Sequence, residues 1–434
     1  KYGVDTLFGI PGVHTLDYCR ELRDGPIRHI QVRNEQGAGF MADGYARAAR
    51  RPGVALVISG PGVTNALTAI GQSWADSIPV LLLSSETDSS THGKGWGALH
   101  EIPDQRAVTA QLTALSARAK SPEDVPELIG QAFGVFSSQR PRPVHISIPI
   151  DILAQPVSED WMAMKLPKRA QPSADDIKAA ANMLRSAKRP LLMVGGGAVD
   201  ASVPVRKLVE LLQAPVVCST AGKGIVPDDH PLSLNASTVR PEVQSFISTA
   251  DVILAVGTEL AETDSFVERL DFRGDIIRID LDPRKLNDQY PSTIGIVADA
   301  NVSIQSLLAE GGYKSKRQEK EIYTELEKIR QKIIENLTVS EKQHMRLLSA
   351  LADQMPEDTF YAGDICQLVY TGAFGMNVSS PGCWSYPAGY CALGCGLPNA
   401  IGAKMSQPDR PVVCLTGDGG FMFTVQELIV ASEE

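Results

Sequence analysis

The amino-acid sequence predicts an α/β chain of three doubly wound parallel-sheet domains. Apolar strand-like runs alternate with helical patterns, which is how parallel sheets are built. One phrase (apolar strand, glycine turn, helix) occurs three times, at residues 54–65, 191–199 and 411–424, with no residue-level repeat. The 434 residues, 43% of them hydrophobic, exceed one ordinary domain and are enough to fill several cores. The domains expected are residues 1–155, 172–310 and 345–434. The last is incomplete, since a helical pattern still runs at Glu434; the chain also opens without Met, so a longer polypeptide is expected at both ends.

In the first domain, Val4 to Ile10 reads as a strand that Pro11-Gly12 turns into a helix beginning near His14. A strand over 27–33 leads into Glu35 and an Ala-rich helix, where small residues at 37, 38, 39 and 42 allow close packing. Val54 to Ser59 is an apolar strand ending in Gly60-Pro61-Gly62-Val63-Thr64-Asn65, and strands follow at 79–85 and 143–150. Between those two, residues 89–105 carry Gly93, Gly95 and Gly97 and then Leu99-His100-Glu101. They lack periodicity, so this is a long loop, a common place for function. Pro156, Pro167 and Pro172 mark a linker over 154–174. The central unit runs from strand 190–194 through Gly195-Gly196-Gly197 to a helix over 201–213, with strands at 215–219, 252–256 and 276–279. The charged stretch 314–343 reads as a solvated connecting helix. The third unit opens at Thr359 to Asp364, passes a glycine-rich stretch from Gly389 to Lys404, and reaches Gly417-Asp418-Gly419-Gly420 after a strand at 411–416.

A formal net charge of −10, with no basic stripe, argues against nucleic acid as a partner. No apolar run approaches the ~18 residues of a membrane span. Seven cysteines without a CxxC pair indicate a reduced, cytoplasmic chain.

Glu35 stands at the carboxyl end of a strand, where α/β sheets gather ligands, with apolar Phe40 and Met41 nearby. It is a candidate for proton transfer; a helix-start Glu complementing the dipole is the alternative. Glycine turns after strands bring backbone N–H groups to phosphate, although tight packing explains Gly195 to Gly197 equally well. A diphosphate at Gly417 to Gly420 would meet Asp418 as a repulsive charge unless a divalent cation lay between. Mg²⁺ takes one or two carboxylates plus phosphate oxygens and suits that place; a turn-forming Asp is the alternative. An acid in the first domain and an anion-plus-metal turn in the third fit a long cofactor clamped at both ends.

Taken as an ordered set, Phe8-Gly9-Ile10-Pro11-Gly12, Asn34-Glu35-Gln36-Gly37-Ala38, Gly60-Pro61-Gly62 with Asn65, Gly389 to Ala403 and Gly417-Asp418-Gly419 carry a resemblance. The chain resembles the thiamine-diphosphate enzymes of the acetolactate synthase, pyruvate oxidase and pyruvate decarboxylase superfamily, over essentially its whole length. The resemblance implies a pyrimidine-binding, a central and a diphosphate-binding domain. It implies Glu35 on N1′ of the aminopyrimidine, with Pro11, Gly12, Gly62 and Asn65 near that ring. Gly363, Asp364, Gly417, Gly419 and Gly420 would meet the diphosphate, and Asp418 would hold Mg²⁺. Leu393 would bend the cofactor, and the carbonyl of Cys391, where a glycine is common, would serve its 4′-amino group. A second metal ligand, an Asn in the family, is expected beyond Glu434. The central domain resembles one that holds FAD, which leaves FAD open as a further cofactor. The implied assembly is a homodimer or homotetramer.

His100 stands where acetolactate synthases place Gln, and would relay protons near neutral pH; a solvated loop His is the alternative. Together with Trp96-Gly97 and the stretch Gly257 to Asp264, it resembles the 5-guanidino-2-oxopentanoate decarboxylase branch. The implied activity is decarboxylation of a 2-oxo acid through an enamine, ending in an aldehyde or, in a synthase, in acetolactate from two pyruvates. Glu101, Glu262 or Asp264 would suit a guanidino cation; surface solvation explains them equally. A non-catalytic FAD- or nucleotide-binding relative is the reading from another class, and Glu35 and Asp418 argue against it.

Overall fold

The computed structural model describes residues 1–157 and 160–434, so residues 158 and 159 of the expected linker lie outside it. Strands β1 (Thr6–Gly9), β2 (Arg28–Gln31), β3 (Gly53–Val57), β4 (Val80–Glu86), β5 (Leu115–Arg118) and β6 (Val144–Pro149) form one sheet in the order β2-β1-β3-β4-β6-β5. Every pair is parallel. Central strands β3 and β4 are apolar and buried on both faces, as a parallel sheet covered by helices demands.

Strands β7 (Pro190–Val194), β8 (Val216–Cys218), β9 (Val252–Val256), β10 (Asp275–Asp280) and β11 (Ile294–Val297) form a second sheet, β11-β10-β9-β7-β8, again parallel. Short strands β12 (Phe360–Gly363), β13 (Trp384–Ser385) and β14 (Val412–Leu415) make a third, in the order β13-β12-β14.

The chain forms two compact units. One holds residues 1–168, 362–365 and 389–434, the other residues 169–361 and 366–388. In the first unit the helix Glu35–Ala49 crosses the helix Gly396–Ser406, and glycines set how close they come. A Cβ on Gly44 would lie 2.1 Å from the Asn399 carbonyl oxygen, and one on Gly402 would lie 1.9 Å from that of Met41. Ala38, Met41, Tyr45, Leu397 and Ile401 share one buried cluster there. The second unit has its own core, and two fully buried charges within it: Lys223 Nζ lies 2.6 Å from Asp228 and donates to the Met376 carbonyl.

Several elements differ from the sequence reading. Edge strands β5 and β11 were not expected, because half-buried edges lack the apolar run that marks a central strand. The stretch 314–343 is not one helix. It contains the helix Glu319–Glu335 and the start of Val339–Ala352, divided at Thr338, whose hydroxyl and Glu341 form a reciprocal cap. The segment after Gly12 begins with a single 3₁₀ turn, Val13–Thr15, before the helix Leu16–Asp24.

Candidate functional site

The carboxyl ends of β1, β2 and β3 converge on residues 58–62. After β2, Asn34 caps the Glu35 helix by accepting the Gln36 N–H at 2.9 Å, which places Glu35 in the first turn. The half-buried Glu35 carboxylate accepts from Asn65 Nδ2 at 3.0 Å. A Cβ on Gly62 would stand 3.5 Å from its other oxygen and 2.8 Å from Ile58, so only glycine leaves that approach open. Gly12 packs on the same Ile58, where a Cβ would be 2.6 Å away; Pro11 beside it is exposed.

His100 reaches this edge from the long loop. It adopts a left-handed backbone, φ +64°, and its carbonyl lies over Gly60, 2.5 Å from where a Cβ would sit. Its Nδ1 is buried and meets no hydrogen-bond partner among the described residues. The neighbouring Glu101 carboxylate accepts the N–H groups of Gly95, Gly97 and Ala98 at 2.8–3.0 Å. Glu101 therefore shapes the loop.

Beneath the 58–62 turn runs a chain of buried polar groups. Gly60 N–H donates to Gln105 Oε1, and Gln105 Nε2 donates to Ser84 Oγ and the Ser85 carbonyl. Ser84 Oγ meets His145 Nε2 at 2.8 Å, and Thr109 Oγ1 meets its Nδ1. Burial pushes the His145 imidazole down to about 3, so this ring is a neutral structural link.

The second set of predicted residues gathers around Asp364, also in the first unit. Its carboxylate accepts the N–H groups of Ile365, Gly394 and Gly396 at 2.7–3.1 Å, and Gly420 packs on it. Asp364 thus braces the turn that carries Cys391 (φ +54°) and Leu393, and Cys395 Sγ contacts the Gly363 carbonyl. Leu393 is 40% exposed between buried neighbours, an apolar side chain held out of the core. Gly417 precedes the helix Asp418–Thr424, and Asp418 Oδ1 accepts the Gly419 N–H at 2.8 Å. A Cβ on Gly419 would meet nothing within 4 Å, so the backbone there faces open space. Among the described residues no three His, Cys, Asp or Glu side chains form a metal cage, so a cation at Asp418 needs oxygens from a ligand. One carboxylate plus phosphate oxygens is the manner of Mg²⁺.

Sequence reading missed the residues that join the two sets. Glu427 is buried against Gly37 and accepts the Arg33 N–H, and burial raises its carboxyl above the usual range. Asp76 and Gln72 accept the N–H groups of Gly389 and Ala392, and Arg47 pairs with Asp76 and Asp43. Of these, Asp43 with Arg47 and Gln72 with Asp76, each pair four apart, carry a local signal.

In the central unit, Gly195 and Gly197 donate their N–H groups to the Val256 and Gly257 carbonyls at 3.0 Å, and a Cβ on Gly195 would lie 2.4 Å from Gly257. Backbone packing accounts for the glycine run. The Asp264 carboxylate in the following loop accepts the Thr220 N–H. These residues give FAD no specific support.

Three family descriptions cover the chain in order: "Thiamine pyrophosphate enzyme, N-terminal TPP binding domain" over residues 1–108, the central domain over 177–307, and the C-terminal TPP binding domain over 364–434. The chain belongs to the thiamine pyrophosphate enzyme family. Over the whole of its length this thiamine pyrophosphate enzyme is 49% identical to the protein named "Probable 2-ketoarginine decarboxylase AruI" of Pseudomonas aeruginosa, covering 78% of that relative. It is 33% identical to the acetolactate synthase isozyme 3 large subunit of Escherichia coli, over 99% of the chain and 77% of the relative. For the isozyme 1 large subunit the identity is 30%, over 100% and 77%. It is an enzyme of the thiamine-diphosphate-dependent decarboxylase and acetolactate synthase group, on three α/β domains.

Proposed function

We propose that this enzyme decarboxylates a 2-oxo acid of the 5-guanidino-2-oxopentanoate type and releases the aldehyde. The observation that carries the reading is the 49% identity to the 2-ketoarginine decarboxylase-named relative, against 33% to an acetolactate synthase large subunit. Thiamine diphosphate with Mg²⁺ is the cofactor; when bound, it supplies the sink for the electron pair that departing CO₂ leaves behind.

The chain's own residues divide the work. Glu35, steadied by Asn65, holds the proton at the aminopyrimidine. Pro11, Gly12 and Gly62 keep the approach to Glu35 narrow and uncharged. Asp418 takes the cation, while Gly417, Gly419 and Gly420 leave the diphosphate room. Leu393 supports the bend of the cofactor and Cys391 offers its carbonyl. Gly363 and Asp364 serve from behind, since the Asp364 oxygens already accept three N–H groups. His100 is the proton donor to the product. The reaction has no step that calls for FAD.

We further propose a homodimer or homotetramer in the cytoplasm; no helix among the described residues is long and apolar enough to cross a membrane. The test offers pyruvate, 2-oxobutyrate and 5-guanidino-2-oxopentanoate separately, following CO₂ and the organic product. Fast CO₂ and an aldehyde from the guanidino acid are expected. Acetolactate from pyruvate, with no turnover of the guanidino acid, would overturn the reading in favour of a synthase.

A further inference from the structure

His14 has no part in the roles assigned above, yet it is built into the same strand edge. It sits in the 3₁₀ turn after Gly12, 9% exposed, with Nδ1 2.6 Å from the Ser59 hydroxyl. Its ring meets that of His100 nearly edge-on: the centroids are 5.3 Å apart and the planes 67° to one another. Burial, and then the His100 ring, hold the His14 imidazole below its ordinary range. His14 therefore stays neutral near pH 7.

His100 is fixed by its backbone, through its positive φ and the carbonyl seated on Gly60, whereas its buried Nδ1 has no partner among the described residues. A buried polar atom left so costs about 1–3 kcal/mol and asks for a ligand or a catalytic role. Its side chain needs an orienting contact from outside its own loop, and the His14 ring supplies one.

We propose that His14 is a positioning residue: tethered at Ser59, its ring fixes the plane of the His100 ring, so that His100 donates its proton from one orientation. The inference rests on the decarboxylase reading and deepens it. Loss of CO₂ breaks the bond between the carboxyl carbon and C2 and leaves the electron pair on C2. Aldehyde release needs one proton at that carbon, which His100 gives and regains from water. A synthase needs none, because the electron pair attacks a second carbonyl.

The test compares His14→Ala with His14→Phe, which keeps an aromatic ring against His100. NMR spectra of the cofactor-free protein with labelled histidine read the His100 ring directly: one ring orientation is expected in the parent, several in His14→Ala, and recovery of one in His14→Phe. In the loaded enzyme, His14→Ala should lower kcat for aldehyde release about tenfold while KM stays within about twofold, the pattern of a misplaced catalytic group. Ser59→Ala, which cuts the tether and keeps the ring, should loosen the orientation of the His100 ring as well, and it serves where His14→Ala does not fold. Identical His100 spectra in all these proteins, or a rise in KM at unchanged kcat, would overturn the proposal. Because the spectra need no substrate, an error in the substrate assignment leaves them decisive for His14.

Discussion

Replacing Gly402 by Ala tests whether the crossing of the two glycine-bearing helices governs Glu35 from a distance. The added Cβ would lie 1.9 Å from the Met41 carbonyl oxygen and 2.7 Å from its carbon, all backbone atoms that no rotamer change moves away. A relaxed carbon–oxygen contact is about 3.4 Å, so the helices must part by roughly 1.5 Å. Overpacking of this kind costs about 1–3 kcal/mol, or more where backbone moves, and alanine's better helix propensity returns about 1 kcal/mol. A net loss of about 2 kcal/mol is expected in urea unfolding. Glu35 lies six residues before Met41, about 9 Å along the same helix, and moves with it. A displacement of about 1 Å at a reacting group costs on the order of 100-fold in rate, so CO₂ release should fall by one to two orders of magnitude. Gly419→Ala is the control, since its Cβ meets nothing within 4 Å. Its unfolding should shift by less than about 0.5 kcal/mol, while its affinity for thiamine diphosphate falls. Unchanged unfolding and turnover in Gly402→Ala would refute the reasoning.

Glu35→Gln should lose at least about 100-fold in CO₂ release with its unfolding curve and most of its cofactor affinity intact; turnover at the parent rate would remove Glu35 from the chemistry. Asp418→Ala should abolish the Mg²⁺ dependence of thiamine diphosphate binding, measured by titration with and without the metal. Lys223→Met strands the buried Asp228 and should cost about 3–5 kcal/mol, whereas Lys223→Met with Asp228→Leu should recover part of that loss in urea unfolding, the Val378 N–H still lacking its acceptor. His145, held near 3 in the folded protein against 6.5 otherwise, binds its proton only on unfolding across that interval. Its contribution to stability is complete above about pH 6.5 and falls away toward pH 3, and a pH series of unfolding midpoints on His145→Asn should lose that part of the slope.

The alternation of strands and helices was legible because the central strands of both large sheets are apolar on both faces. The edge strands β5 and β11 were not, since Leu115 to Arg118 and Ile294 to Val297 bury too little to leave a run. The residues proposed to bear the chemistry, Glu35, Asn65 and Asp418, stand at strand ends or glycine turns, where local sequence dictates local geometry. Their supports were invisible for the opposite reason. Gln105 reaches Gly60 across 45 positions, Gln72 reaches Ala392 across 320, and Glu427 reaches Arg33 across 394. Such bonds exist only once the sheet order is set. Glu101 was equally silent about its local role: the three N–H groups that it accepts come from its own loop.

That arrangement makes the loop a cassette. One carboxylate sets the course of Gly95 to Ala98, while Trp96 (69% exposed) and Leu99 (57% exposed) project from it with little contribution to its shape. Exchanging those two side chains therefore leaves the frame of the loop unaltered. Transplanting the stretch into a relative requires Glu101 and the three positive-φ glycines, Gly93, Gly95 and Gly97, to travel together.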